Sequence, residues 1–168
     1  TQQPVGGSIA VGGSTNLFVL ATSAAPLRYQ WQKDGTALAG ATNASLSIAN
    51  VQASNVGNYR VVVTNPAGSV TSSWASLSLI KATPIITTLP SASAITYGQT
   101  LAASILSGGT VSVLGSFAYA TPALAPNAGT NVTGIVFTPA DTNNYATVAT
   151  NILIVVNKAA AVVTLGNL

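Results

Sequence analysis

The chain has 168 residues, of which 48% are hydrophobic, and this length fits two small domains with real cores better than one ordinary sandwich. Charged residues make up only 4%, and the net charge of +3 comes from five cations scattered along the chain, which excludes the clustered basic stripe that nucleic-acid binding needs. The absence of Cys excludes disulfides, thiolate nucleophiles and cysteine metal sites, and no apolar run approaches the roughly 20 residues of a membrane-spanning helix.

Hydrophobic and polar residues alternate in short runs that are separated by turn residues. In chain order the alternating apolar positions are Leu17, Val19 and Ala21, then Leu46 and Ile48, then Tyr59, Val61 and Val63. Good helix formers other than Ala are sparse, and Glu does not occur at all. Period-two patterning of this kind is typical of an antiparallel sandwich, so the sequence predicts an all-β fold of two tandem antiparallel β-sandwich domains.

Two junctions of similar composition divide the chain. An apolar run continues into Lys81-Ala82, and a second apolar run continues into Lys158-Ala159. In both places another apolar segment follows, which indicates a repeated inter-domain junction. We therefore predict one domain over residues 1–80 and a second domain over residues 81–157. Residues 158–168 are then the first strand of a following unit, or a strand that pairs with a neighbouring subunit.

The first domain contains four segments that together form a specific pattern. They are residues 29–35 (YQWQKDG), 46–51 (LSIANV), 55–61 (NVGNYRV) and 62–70 (VVTNPAGSV). With these segments, residues 1–80 resemble a bacterial immunoglobulin-like domain of the I-set or Ig_3-like type. In that family the segments correspond to strand C, strand E, the tyrosine corner and the F–G hairpin, and the resemblance implies an immunoglobulin-like sandwich.

The resemblance also implies which residues form the core of this domain. Trp31 brings a large apolar surface to the centre of the sandwich, and Tyr59 buries its ring and returns its hydroxyl to the backbone at the corner. The paired cysteines of the family are replaced by Val19 and Val61, so packing must take the place of the covalent link. Asn55 stands where the family has an acidic residue, so only hydrogen bonding is expected there.

The second domain has its own set of motifs. They are residues 94–101 (AITYGQTL), 106–109 (LSGG), 115–119 (GSFAY), 126–130 (PNAGT) and 136–145 (VFTPADTNNY). With these motifs, residues 81–157 resemble an MBG repeat, which is a mucin-binding-like, YGX-type unit of bacterial surface proteins. The resemblance implies a tandem repeat in a large exported protein. From the residues themselves, we expect Phe117, Phe137 and Tyr145 to form the aromatic core of this domain.

The sequence offers little material for catalysis. The only side-chain carboxylates, Asp34 and Asp141, fall in turn motifs of separate predicted domains, so neither an acid pair nor a multi-carboxylate calcium site is expected. A Ser–Lys arrangement stays open, because both residue types occur. We predict that the chain is not an enzyme and that it has no catalytic, cofactor-binding or metal-binding residues.

Aromatic side chains that point outward would mark a sugar-binding face. The candidates are Tyr29, Trp74, Tyr97 and Tyr119, and the alternative for each is packing in a core or at a sheet edge. Trp74 differs from the others because two serines precede it, which suits a contact with a neighbouring domain or subunit.

The low charge, the repeated junctions and the apolar terminal segment favour a structural function. We predict a non-enzymatic unit of a bacterial extracellular surface protein or fibre that stacks end to end with neighbouring repeats or subunits. The expected self-association residues are Ala161, Val162, Val163 and Leu165 of the terminal strand, together with Trp74. The alternative is an adhesive module that binds mucin or another glycan. We expect no nucleic-acid partner, no membrane insertion and a secreted or cell-surface location.

Overall fold

The computed structural model describes residues 2–161, which fold into two compact all-β units with the boundary between Ala82 and Thr83. Within the described residues, helix is confined to two single turns of 3-10 helix, Ala53–Asn55 and Leu101–Ala103. Short strands and tight turns make up the rest of each unit. The prediction of an all-β chain with tandem sandwich domains is confirmed.

Between residues 2 and 82 the structure has eight strands. They are β1 Gly7–Ala10, β2 Thr15–Phe18, β3 Arg28–Lys33, β4 Thr36–Ala37, β5 Ser45–Ile48, β6 Gly57–Asn65, β7 Gly68–Thr71 and β8 Ala75–Ile80. The larger sheet has the order β1–β8–β6–β3–β4, and β7 also pairs with β6. The second sheet consists of β2 and β5. In this part of the chain β1 pairs in parallel with β8, whereas the other strand pairs are antiparallel.

The core of the first unit forms between these two sheets, because inward and outward positions alternate along each strand. The buried apolar side chains are Leu17, Val19, Trp31, Ile48, Val51, Tyr59, Val61, Ala75 and Leu77. Trp31 has no exposed surface, and its indole N–H donates to the Asn43 carbonyl oxygen at 2.9 Å. Val19 and Val61 lie in the same buried cluster, so aliphatic packing occupies the place that the resemblance assigns to a cysteine pair.

A tyrosine corner lies at the start of β6, where Tyr59 is the third residue of the strand. The Tyr59 side chain is 2% exposed, and its hydroxyl donates to the Asn55 carbonyl oxygen at 2.6 Å. The side chain of Asn55 accepts the Gln52 N–H through Oδ1 at 2.8 Å, so a neutral hydrogen bond closes this turn. Burial raises the pKa of the Tyr59 hydroxyl above its usual value, and the negative charge of Asp34 raises it further.

Between residues 83 and 161 the structure has eight more strands. They are β9 Ile86–Thr88, β10 Ser91–Ala92, β11 Ile95–Thr96, β12 Leu106–Ser107, β13 Thr110–Val111, β14 Gly115–Tyr119, β15 Gly129–Pro139 and β16 Val148–Asn157. The main sheet has the order β11–β16–β15–β14, and two short ribbons pair β10 with β12 and β9 with β13. Here β11 pairs in parallel with β16, whereas β15 pairs antiparallel with both of its neighbours.

The core of the second unit includes residues of β11 and β16. The buried cluster consists of Ile95, Leu101, Ile154 and Val156, with Ala92 and Tyr119 packed against it. Phe137 is also buried, and its ring centroid lies 5.1 Å from that of Phe117. Phe117 is only half-buried because β14 is an edge strand of its sheet, and Tyr145 is half-buried in the loop between β15 and β16. Of the three aromatic residues expected in this core, Phe137 is enclosed, whereas Phe117 and Tyr145 are partly exposed.

A tight turn ends strand β1 in the first unit. The Gly13 N–H donates to the Ala10 carbonyl oxygen at 2.9 Å, and Gly12 has a φ of 78°. A positive φ at the third residue is the requirement of a type II turn, and glycine meets it without strain. Val11 occupies the second position, and its N–H donates to the carbonyl oxygen of Ile80, the last residue of β8, at 3.0 Å.

The same turn ends strand β11 in the second unit. The Gln99 N–H donates to the Thr96 carbonyl oxygen at 2.9 Å, and Gly98 has a φ of 93°. The N–H of Tyr97, at the second position, donates to the carbonyl oxygen of Asn157, the last residue of β16, at 2.8 Å. Both units therefore share one arrangement. An early strand pairs in parallel with the final strand of the unit and ends in a type II turn, and this turn is hydrogen-bonded to the last residue of the final strand.

Candidate functional site

The pairing of β6 with the strands that follow it shifts by one residue between β7 and β8. Val62 lies opposite Thr71, whereas Tyr59 lies opposite Ala75. Residues 72–74 therefore face only two residues of β6, and the extra residue forms a β-bulge. A bulge bends its strand and changes the direction of the side chains next to it.

Two serines make the hydrogen bonds that the backbone of this bulge requires. The Ser72 hydroxyl accepts the Val61 N–H at 3.0 Å and donates to the Ser73 carbonyl oxygen at 2.9 Å. The Ser72 N–H donates to the Val61 carbonyl oxygen at 2.9 Å, and the Ser73 N–H donates to Gln3 Oε1 at 2.8 Å. The serine pair in front of Trp74 thus replaces the ladder hydrogen bonds that the extra residue interrupts.

Trp74 lies on the outer face of the larger sheet of the first unit. Ala75 and Leu77 are buried in the core, so alternation along the strand directs Trp74 outward. The Trp74 side chain is 47% exposed, and the guanidinium carbon of Arg60 lies 4.3 Å from its ring centroid. A guanidinium at this distance makes a cation–π interaction, which restricts the orientation of both side chains.

Two glutamines extend this surface across β3. Arg60 lies directly opposite Gln32 in the register of β6 and β3, and its Nε donates to Gln32 Oε1 at 2.7 Å. The Nε2 group of Gln30 donates to two backbone carbonyl oxygens, at 3.0 and 2.7 Å, which fixes the second amide. We refer to the surface formed by Gln30, Gln32, Arg60 and Trp74 as the Trp74 face.

The Trp74 face is positively charged and rich in hydrogen-bond donors. Within residues 2–161, Arg60 donates only from Nε, so its terminal NH₂ groups have no protein acceptor. In the same part of the chain, the amide nitrogen of Gln32 and the indole N–H of Trp74 also have none. The Asp34 carboxylate lies in the β3–β4 turn, where it accepts the Asn58 N–H at 2.8 Å. The arrangement can bind a group with several acceptor atoms and a negative charge.

The other three candidate aromatics lie in different surroundings within their own units. Tyr29 is half-buried against the core of the first unit, and Tyr119 is half-buried in the second unit, where its hydroxyl donates to Ser104 Oγ at 2.8 Å. Tyr97 is 54% exposed, but it lies in the turn after β11 of the second unit. Within the first unit, Tyr29 packs toward the core whereas Trp74 is exposed, so these two aromatics do not form a cluster, and the neighbours of Trp74 on its strand face are polar.

Each unit also has an open cleft. In the first unit a cleft of about 410 Å³ is lined by residues that include Leu20, Leu27 and Val70. In the second unit a cleft of about 480 Å³ is lined by residues that include Leu114 and Phe137. None of the lining residues of either cleft is ionisable, so neither cleft supplies an acid, a base or a charged ligand group.

The two carboxylates are part of turns in separate units. Asp141 Oδ1 accepts the N–H groups of Asn143 and Asn144 at 3.1 and 3.2 Å, and Asp34 binds the backbone at the β3–β4 turn. Lys33 donates to the backbone carbonyl of Ser54, not to a hydroxyl. Across residues 2–161, no group of three or more His, Cys, Asp or Glu side chains could bind a metal ion.

The predicted self-association segment lies at the end of the described part of the chain. Ala161 is exposed, whereas Val162, Val163 and Leu165 lie outside the described residues. Among residues 2–161 no helix combines the length and the apolar character that crossing a membrane requires.

Sequence reasoning singled out Trp74 but missed Arg60 and Gln32. The sequence does contain a pattern that marks them. Gln30 and Gln32 flank the buried Trp31, and Arg60 lies between the buried Tyr59 and Val61. Period-two alternation therefore predicts that Gln30, Gln32 and Arg60 point outward from neighbouring strands. The bulge that brings Trp74 beside them depends on pairing register and has no comparable signal.

A family comparison supports the immunoglobulin-like interpretation of the first unit. Residues 1–78 match the family model described as Immunoglobulin I-set domain. Among curated proteins the chain is similar to Endoglucanase C of Cellulomonas fimi, with 31% identity over 94 residues. That alignment covers 54% of this chain, which spans only 8% of the length of that relative. The MBG resemblance of the second domain and a bacterial origin stay predictions.

Solved structures of tandem immunoglobulin domains are similar over most of the chain. Titin-A168169 is 13% identical with a TM-score of 0.48, and the alignment covers 92% of this chain and 95% of that one. The Ig1-2 module of the Drosophila receptor protein tyrosine phosphatase DLAR is 16% identical with a TM-score of 0.42, covering 95% and 97%. The Sidekick-1 immunoglobulin domains 1-5 are 14% identical with a TM-score of 0.46, covering 95% and 37%.

Proposed function

We propose that the chain is a non-catalytic, load-bearing spacer of a bacterial extracellular surface protein or fibre, which stacks end to end with neighbouring repeats or subunits. The observation that supports this proposal is the parallel pairing near the two ends of each unit. In the first unit β1 pairs with β8, and in the second unit β11 pairs with β16.

Parallel pairing determines how each unit responds to tension along the chain. When two strands are parallel, the start of the first and the end of the last lie at opposite ends of the pair. A pull on the chain then loads all of their hydrogen bonds in shear at the same time, instead of opening them one by one. The hydrogen bonds from Val11 to Ile80 and from Tyr97 to Asn157 add to this load-bearing pair in each unit.

Composition supports the non-catalytic part of the proposal. The chain has no His, Cys or Glu, and its two Asp side chains lie in turns of separate units. The I-set match over the first unit and the alignment to a small part of Endoglucanase C fit a module that occurs inside larger proteins. An exported protein and an MBG-type second unit remain part of the same proposal.

Stretching single molecules that are tethered at both ends tests the spacer function. Val11→Pro removes the N–H that donates to Ile80, and proline fits the second position of a type II turn, so the turn itself is preserved. Tyr97→Pro makes the same change in the second unit. We expect each proline to lower the rupture force of its own unit and to leave the other unchanged.

Alanine variants at the same two positions are the matched controls, because they remove the side chain and keep the N–H donor. If Val11→Pro and Val11→Ala rupture at the same force while circular dichroism shows both folded, the parallel pair does not bear the load. The spacer proposal would then lose its structural support.

We further propose that residues 159–168 pair with a neighbouring repeat or subunit by strand addition, which would join copies end to end. Deleting these residues should abolish end-to-end association in sedimentation velocity while both units stay folded. Assemblies that persist unchanged after the deletion would exclude this segment as the link.

The alternative function is adhesion to mucin or another glycan. One observation favours it, namely an exposed Trp74 beside Arg60 on an outward sheet face. A spacer and a binding module are compatible within one chain, because the load-bearing pair and the Trp74 face use different parts of the sheet.

A further inference from the structure

We propose that the Trp74 face is a binding site for an acidic saccharide, in which Arg60 binds the carboxylate of a sugar and Trp74 packs against its pyranose ring. The proposal rests on the alternative glycan-binding function, for which it names the class of sugar, and it does not depend on the spacer function. It rests on three features of this face: an unpaired guanidinium end, an exposed indole and a set of donors without acceptors.

The guanidinium of Arg60 is prepared for an anion. One of its N–H groups is used by Gln32 at 2.7 Å and its carbon lies 4.3 Å from the centre of the Trp74 ring, so two contacts fix the plane of the group. The terminal NH₂ groups have no acceptor within residues 2–161. A planar guanidinium fixed in this way can bind both oxygens of a carboxylate, which a lysine ammonium cannot do with the same geometry.

Charge around the site favours a negative ligand. Each unit contains one Asp, and the Asp34 carboxylate of the first unit is occupied in a turn by the Asn58 N–H. The net charge of +3 adds a weak attraction for anions over the whole chain. A cationic or strongly donating ligand would find no free carboxylate on the Trp74 face.

Trp74 supplies the part of the site that recognises a sugar ring. Its side chain is 47% exposed on an open sheet face, next to amides that can hydrogen-bond to hydroxyl groups. An exposed aromatic ring can pack against the C–H groups of a pyranose, while Gln32 Nε2 and the indole N–H donate to ring substituents. A carboxylated pyranose presents an apolar ring, hydroxyl acceptors and a charge within the span of this face.

The bulge gives the site its geometry. It places Trp74 next to Arg60, because without the extra residue the register of this strand against β6 would be shifted by one residue. The Ser72 hydroxyl stabilises the bulge through the Val61 N–H and the Ser73 carbonyl. Ser72 is therefore a positioning residue, which acts on the ligand only through the location of Trp74.

Nuclear magnetic resonance titration of the full chain tests the site directly. The chain has two tryptophans, and the indole N–H of Trp31 is enclosed and bonded to Asn43, so the two indole signals differ in environment. The probes are trigalacturonate and the methyl glycoside of N-acetylneuraminic acid, which are two sources of a carboxylated pyranose. Their methyl esters keep the sugar and remove the charge. We expect at least one acid to shift the Trp74 indole signal, and its ester to bind roughly 10-fold more weakly or worse.

Substitutions separate the site from general electrostatics. Arg60→Gln should weaken binding roughly 10-fold or more, and Arg60→Lys should weaken it by a smaller factor because it keeps the charge but loses the planar pair of donors. Trp74→Ala should weaken it roughly 5-fold. Arg28→Gln is the matched control, since Arg28 is an exposed cation on the same strand as Gln32 and its loss changes the net charge equally.

The results that overturn the proposal are equally specific. They are no binding of either acid at millimolar concentration, esters that bind as well as the acids, or Arg28→Gln weakening binding as much as Arg60→Gln. A ligand that shifts other signals but not the Trp74 indole would also exclude this face. Circular dichroism of each surface variant checks that the fold is intact. These binding results say nothing about the rupture force of either unit, so the spacer proposal is tested by a separate experiment.

Discussion

Replacing Tyr59 with Phe removes one hydroxyl and leaves the buried ring in place. The change deletes the hydrogen bond to the Asn55 carbonyl oxygen at 2.6 Å, and a neutral hydrogen bond contributes about 1 kcal/mol to stability. Asn55 is half-buried, so water can replace part of the lost donor, and we expect a total loss of about 1–2 kcal/mol. For a domain of this size each kcal/mol corresponds to a fall in melting temperature of about 4–8 °C.

Tryptophan fluorescence is the appropriate assay, because Trp31 and Trp74 both lie in the first unit and report its unfolding separately from the second. Tyr29→Phe is the matched control, since Tyr29 is half-buried and its hydroxyl has no protein partner among residues 2–161. It should change stability by less than about 0.5 kcal/mol. If the two variants are equally stable, the tyrosine corner contributes no specific free energy and this reasoning is wrong.

The same variant has a defined pH dependence. The pKa of Tyr59 in the folded chain lies above its ordinary value of 10.0, first because of burial and then because of the Asp34 charge. The resulting stability is present in full below pH 10.0 and is lost as the pH rises through the folded-state pKa. The advantage of the unmodified chain over Tyr59→Phe should therefore shrink above pH 10.0. Asp34→Asn removes the second cause of the raised pKa, so this loss should be smaller and should be complete at a lower pH.

Three further substitutions test packing in both units. Trp31→Ala should lower the free energy of unfolding of the first unit by about 3–5 kcal/mol in denaturant titrations, and a loss below about 1 kcal/mol would contradict the central position of this ring. Thr133→Val should increase the free energy of unfolding of the second unit by about 1 kcal/mol and raise its melting temperature, because the buried Thr133 hydroxyl has no partner in the described residues. A lower melting temperature would show that the hydroxyl has a partner. Gly6→Ala should lower the stability of the first unit by about 1–3 kcal/mol because a Cβ would collide with the Ser76 carbonyl, whereas Gly7→Ala meets open space and should have little effect; equal melting temperatures would rule out the close approach.

The strands and the burial of Trp31 and Tyr59 follow from local information in the sequence. Both residues lie on strands where apolar and polar positions alternate, and large aromatic side chains at inward positions have few other places to go. The type II turns were also accessible in part, since Tyr97-Gly98 marks the end of a strand. These features depend on neighbours within a few residues along the chain.

Features that depend on the order of strands could not be predicted in the same way. Phe117 is half-buried because β14 lies at the edge of its sheet, and nothing within the run around Phe117 indicates an edge. The bulge at residues 72–74 exists only relative to β6, so the neighbourhood of Trp74 and Arg60 required the pairing register. The parallel pair of β1 with β8 joins residues about 70 positions apart and likewise leaves no local signal.

The positions of the load-bearing pair and of the Trp74 face explain how one unit could perform both proposed functions. In the larger sheet β1 and β6 lie on opposite sides of β8. The parallel register with β1 uses Leu77 to Ile80, whereas Trp74 precedes β8 and contacts Arg60 of β6. Tension that leaves the unit after Ile80 therefore loads hydrogen bonds on the far side of β8 before it reaches the bulge. We therefore expect the distance between Arg60 and Trp74 to stay the same under load as long as the β1–β8 pair is intact, and we expect a ligand on this face to remain bound while the chain is stretched.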